Sequence, residues 1–225
     1  ILHAADILLK RLDEKQHRLI NGSLEITRDS TIASKSEFIQ ANIANSSMAS
    51  VIEGEYRELV RQLYAMALAS RIDRLAMYDE RGRWMAGVVI HHERVELSYL
   101  QPLAPMTHLH ADIIRGEPLR SRDWRIKPGI PAPFSAHLED RSEKHITSWQ
   151  SADQMLWMTV IAPLMIDELE PDTFEILYRY QGSVLTQVPL DREAIEEIEQ
   201  LFPVQLDYYI NRQLGGRRES SIGRL

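Results

Sequence analysis

The apolar residues change their period once, at Arg71, and that change sets the fold class. Before it they recur three and four apart over long stretches; after it they gather in short runs separated by turns rich in Gly, Asp and Pro. The first pattern places apolar side chains along one side of an α-helix, whereas the second suits the strands of an antiparallel sheet. Helices first and strands afterwards make an α+β chain, with long N-terminal helices packed on an antiparallel sheet.

The helical part divides into three stretches. Ala5, Leu8, Leu9, Leu12, Leu19 and Ile20 form a stripe on a helix from Ile1 to about Ile26, with Lys10, Arg11, Glu14, Lys15 and Arg18 on its other side. Such a helix either packs on a core or pairs with a copy of itself, and Gln16 in the stripe breaks a strict coiled-coil seam. Asp29-Ser30-Thr31 carries N-cap chemistry, and Ser36 stands ahead of a second stretch through Phe38, Ile39, Ile43, Met48 and Ile52. The third runs from Gly54 to Ser70 on Tyr56, Leu59, Val60, Leu63, Tyr64, Ala67 and Leu68.

After Arg71, two apolar runs flank Asp79-Glu80-Arg81-Gly82, a hairpin whose Gly82 supplies the positive φ of a tight turn. Prolines at 102, 105, 118, 128, 131 and 133 predict loops over 101–140, with one short helix at His108–Arg115 stopped by Gly116. A second hairpin is expected over His145–Ile166 with its turn near Ser151-Ala152-Asp153. A third is expected over Phe174–Val188 about Gln181-Gly182. Asp191 caps a helix over Arg192–Leu201, Pro203 ends it, Val204–Ile210 reads as the last strand, and a polar tail follows from Gly215.

Several functions are excluded or left unsupported. A net charge of −7 gives no reason for nucleic-acid binding, and the nearest basic cluster, Arg120, Arg122, Arg125 and Lys127, is interrupted by Asp123 and Trp124. The chain has no cysteine, which removes disulfides, thiolate metal sites and thiol nucleophiles. No G-x-S-x-G elbow or Gly-rich phosphate loop is present, so no catalytic residue is assigned and no cofactor is expected. Eight histidines raise the question of a metal. His91-His92-Glu93 could converge with His108 and His110 if those two lay on a strand, but on the expected helix they diverge, so no metal ligand is assigned.

The longest apolar runs, such as Met155–Met165, fall well short of the ~20 residues that cross a bilayer. The chain starts at Ile1 without a charged start and apolar h-region, and is therefore expected to be a fragment of a longer protein with membrane spans outside it.

Two segments carry a family resemblance. Asp73-Arg74-Leu75-Ala76-Met77-Tyr78-Asp79-Glu80-Arg81-Gly82-Arg83 is similar to the first hairpin of the Cache, or PAS-like, sensor domains of bacterial receptors. Gly182-Ser183-Val184-Leu185-Thr186-Gln187-Val188-Pro189-Leu190-Asp191, followed by Ala194, Ile198 and Leu201, resembles the end of such domains. The resemblance covers roughly residues 1–210. It implies an N-terminal signal or dimer helix segment (1–70), one PAS-like sensory lobe (71–212) and a polar tail (213–225). It further implies a periplasmic or extracellular location in an inner-membrane receptor, a homodimer, and a cytoplasmic kinase, cyclase or chemotaxis output.

On that basis the expected partner is a small molecule or a periplasmic binding protein. A structural dimerisation module and a soluble hydrolase are the other readings. For a pocket, charged groups beside aromatics select Arg122, Asp123, Trp124, Trp149, Asp153 and Tyr178, with Arg122 holding a carboxylate and Asp123 or Asp153 an amine. Core or strand-face packing is the default reading of the same aromatics, since aromatic side chains dominate core burial.

Overall fold

A computed structural model describes residues 2–134, 145–152, 155–170, 175–190, 208–210 and 213–216. Three helices come first: α1 (Leu2–Arg28), α2 (Ser30–Asn42) and α3 (Ala49–Ser70). Asp29 sets the start of α2, because its Oδ1 accepts the backbone N–H groups of Thr31 (2.9 Å) and Ile32 (3.0 Å). The second helix thus begins six residues earlier than Ser36, which is buried inside it. Asn45 opens a single 3₁₀ turn, Ser46–Met48, that divides the stretch expected to run on to Ile52, so α3 starts at Ala49 rather than Gly54.

Eight strands form one antiparallel sheet: β1 (Arg74–Asp79), β2 (Trp84–Ile90), β3 (Arg94–Leu100), β4 (Thr107–Ile114), β5 (Arg125–Pro128), β6 (Ile146–Ala152), β7 (Met155–Leu169) and β8 (Ile176–Pro189). Their order is β5-β4-β3-β2-β1-β8-β7-β6, two meanders joined where β1 meets β8. A two-stranded pair, β9 (Tyr208–Ile210) and β10 (Gln213–Gly216), forms a second sheet beside β6 and β7. β10 falls where the sequence reads as the start of a polar tail. The helix expected over Arg192–Leu201 lies outside the described residues.

The β1–β2 hairpin forms as expected, with Gly82 at φ +75°. The Asp79 carboxylate holds the turn by accepting the N–H groups of Arg81 (2.9 Å) and Arg83 (2.7 Å) and the Arg83 Nε–H (2.7 Å). The β6–β7 hairpin also forms, but Ser151 and Ala152, expected in its turn, belong to β6 and pair with Leu156 and Met155.

Two expectations fail. His108–Arg115 is not a helix: Thr107–Ile114 is β4, pairing along its length with β3. Leu109, Ala111 and Ile113 alternate with His108 and His110, a period of two whose second face is buried polar rather than exposed, which disguised the strand. Nor does Phe174–Val188 turn at Gln181-Gly182. β8 runs through, and the register on β7 shifts by one residue there, Leu164 facing Gly182 and Met165 facing Tyr180. Gly182 serves a β-bulge at φ +153°, where an added Cβ would stand 2.1 Å from the Tyr78 carbonyl oxygen. Gln40 of α2 donates its side-chain N–H to the Gln181 carbonyl (2.9 Å), pinning the bulge to the helical layer.

All three helices lie on one face of the sheet. Ile26, Ile32, Ile39, Ile52, Leu59 and Leu63 are buried there against Leu75, Met77, Val88, Leu97, Val160 and Val184, each worth about 1.5–3 kcal/mol of transfer free energy. One hydrogen bond and one ring stack register the layers. Ser23 of α1 meets the Thr186 hydroxyl at 2.5 Å, and Tyr56 of α3 stacks on Tyr99 with ring centroids 5.2 Å apart.

Candidate functional site

Alternation sends every second side chain of these strands to the other face. The face turned away from the helices buries Arg74, Ser98, His108, His110, Thr159, Ser183 and Gln187 among apolar residues such as Ala76, Val89 and Leu185. The register aligns them. Reading across the sheet, Asp112 faces Glu96 on β3, and Arg74 on β1 faces Gln187 on β8, which faces Thr159 on β7.

The centre of this band is on β1, β8 and β7. The Arg74 guanidinium carbon stands 3.7 Å from the centroid of the Trp157 ring, a cation–π contact. Gln187 donates from Nε2 to Thr159 Oγ1 (2.9 Å) and Gln150 Oε1 (3.2 Å). Its Oε1 and the Ser183 hydroxyl have no hydrogen-bond partner among the described residues, although Gln187 is 4% and Ser183 1% exposed. Turning the Gln187 amide over exchanges the atom left over and does not remove the deficit. A buried polar atom without a partner costs about 1–3 kcal/mol, and folded chains leave few of them. Such atoms are what a bound polar molecule would satisfy.

Towards β5 the band becomes ionic. His110 Nε2 and Asp112 Oδ1 are 2.9 Å apart, Arg94 donates to Asp112 Oδ2 (2.8 Å), and His91 Nε2 lies 3.5 Å from Glu96 Oε1. Burial alone would raise the Asp112 carboxyl, but the hydrogen bonds from Arg94 and His110 outweigh it and hold it below the usual carboxylate value. His108 donates its Nδ1–H to the Gly129 carbonyl (2.7 Å), which leaves its Nε2 as an acceptor, and burial lowers its pKa. The same region is covered by the 3₁₀ turn Ala132–Phe134, whose Phe134 ring lies against Gly87 and stacks with Trp84.

The residues selected from sequence are dispersed. Arg122 and Asp123 sit on the exposed turn Ser121–Asp123, where the Asp123 carboxylate accepts the Arg120 N–H (2.7 Å). They line an open cleft of about 610 Å³ together with Glu93, Arg94, Glu117 and Arg120. Trp124 turns to the helix-covered face and meets Tyr99 edge-on at 4.7 Å. Trp149 is on β6, packed against the core, and Tyr178 is 68% exposed on the outer part of β8. Asp153 lies outside the described residues. Trp124 lies against Tyr99 on β3, and Trp149 is on β6 at the far edge of the sheet, five strand spacings from β3, so the two do not share a pocket. The buried polar residues that the sequence reading passed over left a partial signal: Thr159 interrupts the apolar run Leu156–Ala162, and Gln187, next to Thr186, falls between Leu185 and Val188.

No protein-family model matches the chain, and no curated protein or solved structure is detectably similar to it.

Proposed function

We propose that the chain is a Cache-like ligand-sensing domain, the extracytoplasmic part of a bacterial transmembrane receptor, with its ligand site on the sheet face turned away from the helices. The observation that carries this reading is the buried polar band across β1, β8 and β7, in which Gln187 keeps a spare hydrogen-bonding atom directly behind the point where Thr186 meets α1. The two segments that carry the resemblance, Asp73–Arg83 and Gly182–Asp191, are also neighbours, since β1 and β8 pair from Arg74–Gln187 to Asp79–Gly182. They form the middle of the sheet, where ligand and helix could communicate.

In this reading the domain binds rather than transforms a small polar molecule, and α1 passes the change in β8 towards the membrane. No helix among the described residues is long and apolar enough to cross one. Exposed Leu9 on α1 is available for contact with a second copy. The adjacent exposed residues Ile176, Leu177 and Tyr178 on β8 favour a second reading, in which a periplasmic protein docks at that end of the sheet.

The test is thermal unfolding against amino acids, organic acids, amines and nucleosides. A ligand at 100-fold its dissociation constant stabilises by about 2.7 kcal/mol. A selective rise that disappears in Gln187→Leu supports the site. A ligand that stabilises wild type and variant equally places binding elsewhere, and no response across the panel counts against small-molecule sensing.

A further inference from the structure

We propose that Glu96, His110 and Asp112 form a binding site for a divalent transition-metal ion of the zinc type, with His91 as the fourth ligand. Glu96 and Asp112 stand directly opposite on β3 and β4, and His110 shares their face two residues before Asp112. One ligand atom from each of the three lies within 4.8 Å of the others. Ligands about 2.1 Å from a tetrahedral ion stand roughly 3.4 Å from one another, a spacing that His110 and Asp112 already approach and that Glu96 reaches by turning its side chain.

A hydrogen-bonded His–Asp pair with an Arg94 salt bridge accounts for His110 and Asp112 without an ion. It accounts for Glu96 less fully: like charges directly across a strand pair are unfavourable, and among the described residues Glu96 has the His91 ring at 3.5 Å and the attraction of Arg94, already engaged by Asp112, to set against them. A cation between the two carboxylates reverses that repulsion. Arg94 occupies Asp112 Oδ2 and leaves Oδ1, the oxygen nearest His110 Nε2, for the ion. Two imidazoles and two carboxylates without thiolate favour zinc, nickel or copper over magnesium or calcium, which prefer oxygen alone. His110, 6% exposed, is fixed by the sheet, whereas exposed His91 sits in the β2–β3 turn and can swing in to close the shell.

The site stands on residues separate from Arg74 and Gln187, so its fate does not depend on small-molecule sensing. The experiment is calorimetric titration of the chelator-stripped chain with zinc, and with magnesium and calcium for comparison. It is repeated on Glu96→Gln, Asp112→Asn and the neighbouring control His92→Ala, each checked for an unchanged circular dichroism spectrum. The expected result is one zinc per chain, bound at least fivefold more weakly by Glu96→Gln and by Asp112→Asn and equally well by His92→Ala. Absence of saturable zinc binding overturns the proposal. So does a loss below fivefold in whichever of the two carboxylate variants folds, or magnesium and calcium binding as tightly as zinc.

Discussion

Replacing Gly87 by Ala asks whether Phe134 is a fixed cover on the polar face of the sheet. A Cβ at Gly87 would stand 2.2 Å from Phe134 Cε2, 2.7 Å from Cδ2 and 2.8 Å from Cζ. Favourable carbon–carbon contacts begin near 3.5 Å, so the ring must retreat by more than an ångström. It has little room, being 1% exposed, stacked on Trp84 at 6.2 Å, and tethered through the Phe134 carbonyl, which accepts the Tyr78 hydroxyl (3.0 Å). Overpacking of this kind costs about 1–3 kcal/mol. With Phe134→Ala already in place, itself a loss of roughly 3–5 kcal/mol, the obstruction is gone and Ala is favoured over Gly in a strand by about 0.5–1 kcal/mol. The cycle of four proteins therefore predicts a coupling of about 2 kcal/mol, which corresponds to roughly 4–8 °C in Tm for a chain of this size. Urea unfolding of all four measures it. Gly87→Ala costing the same with and without Phe134 would refute the contact.

Gly182→Ala is expected to destabilise by on the order of 3 kcal/mol, because the new Cβ meets the Tyr78 backbone carbonyl rather than a movable side chain; a neutral effect in denaturant unfolding would mean that the bulge can relax. Burial lowers His108 in the folded state, with repulsion from His110 and Lys127 adding to it and the Gly129 hydrogen bond opposing it. The unfolded chain then binds the proton more readily, so this contribution is full above an unfolded pKa of about 6.5 and declines as the pH falls through it. Tm should fall between pH 7.5 and pH 5.5, and by less in His108→Gln; an equal fall in the variant removes His108 as the cause.

The sequence made legible what rests on local periodicity. The three apolar stripes before Arg71 became helices because more than three turns of each repeat one period, and Asp79 with Gly82 specified a hairpin through hydrogen bonds that close within five residues. What it hid depends on partners far along the chain. β4 looked helical or irregular because His108 on its second face is buried against Trp84 and Gly129, neither of which is near in sequence. The bulge in β8 looked like a turn because Gln181-Gly182 has turn composition, and only the paired strands β1 and β7 keep it extended. The polar band escaped for the same reason. Arg74 and Gln187 are 113 positions apart and become neighbours only through the β1–β8 pairing, while the aromatic-rich segments that drew attention ended at opposite edges.

That pairing also bears on how a sensing domain of this shape would signal. Thr186 and Gln187 are consecutive in β8 and therefore point to opposite faces. Thr186 meets Ser23 of α1, and Lys15 of α1 donates to the carbonyl of Pro189 three residues further on. Gln187 belongs to the polar band. A ligand that takes up the spare atom of Gln187 thus acts on the same stretch of strand that α1 grips from behind, with no intervening element. A relay requires only that the ligand bind one position of β8 more tightly than another. A tenfold preference needs about 1.4 kcal/mol, within the worth of one hydrogen bond to a charged group made in one position and lost in the other.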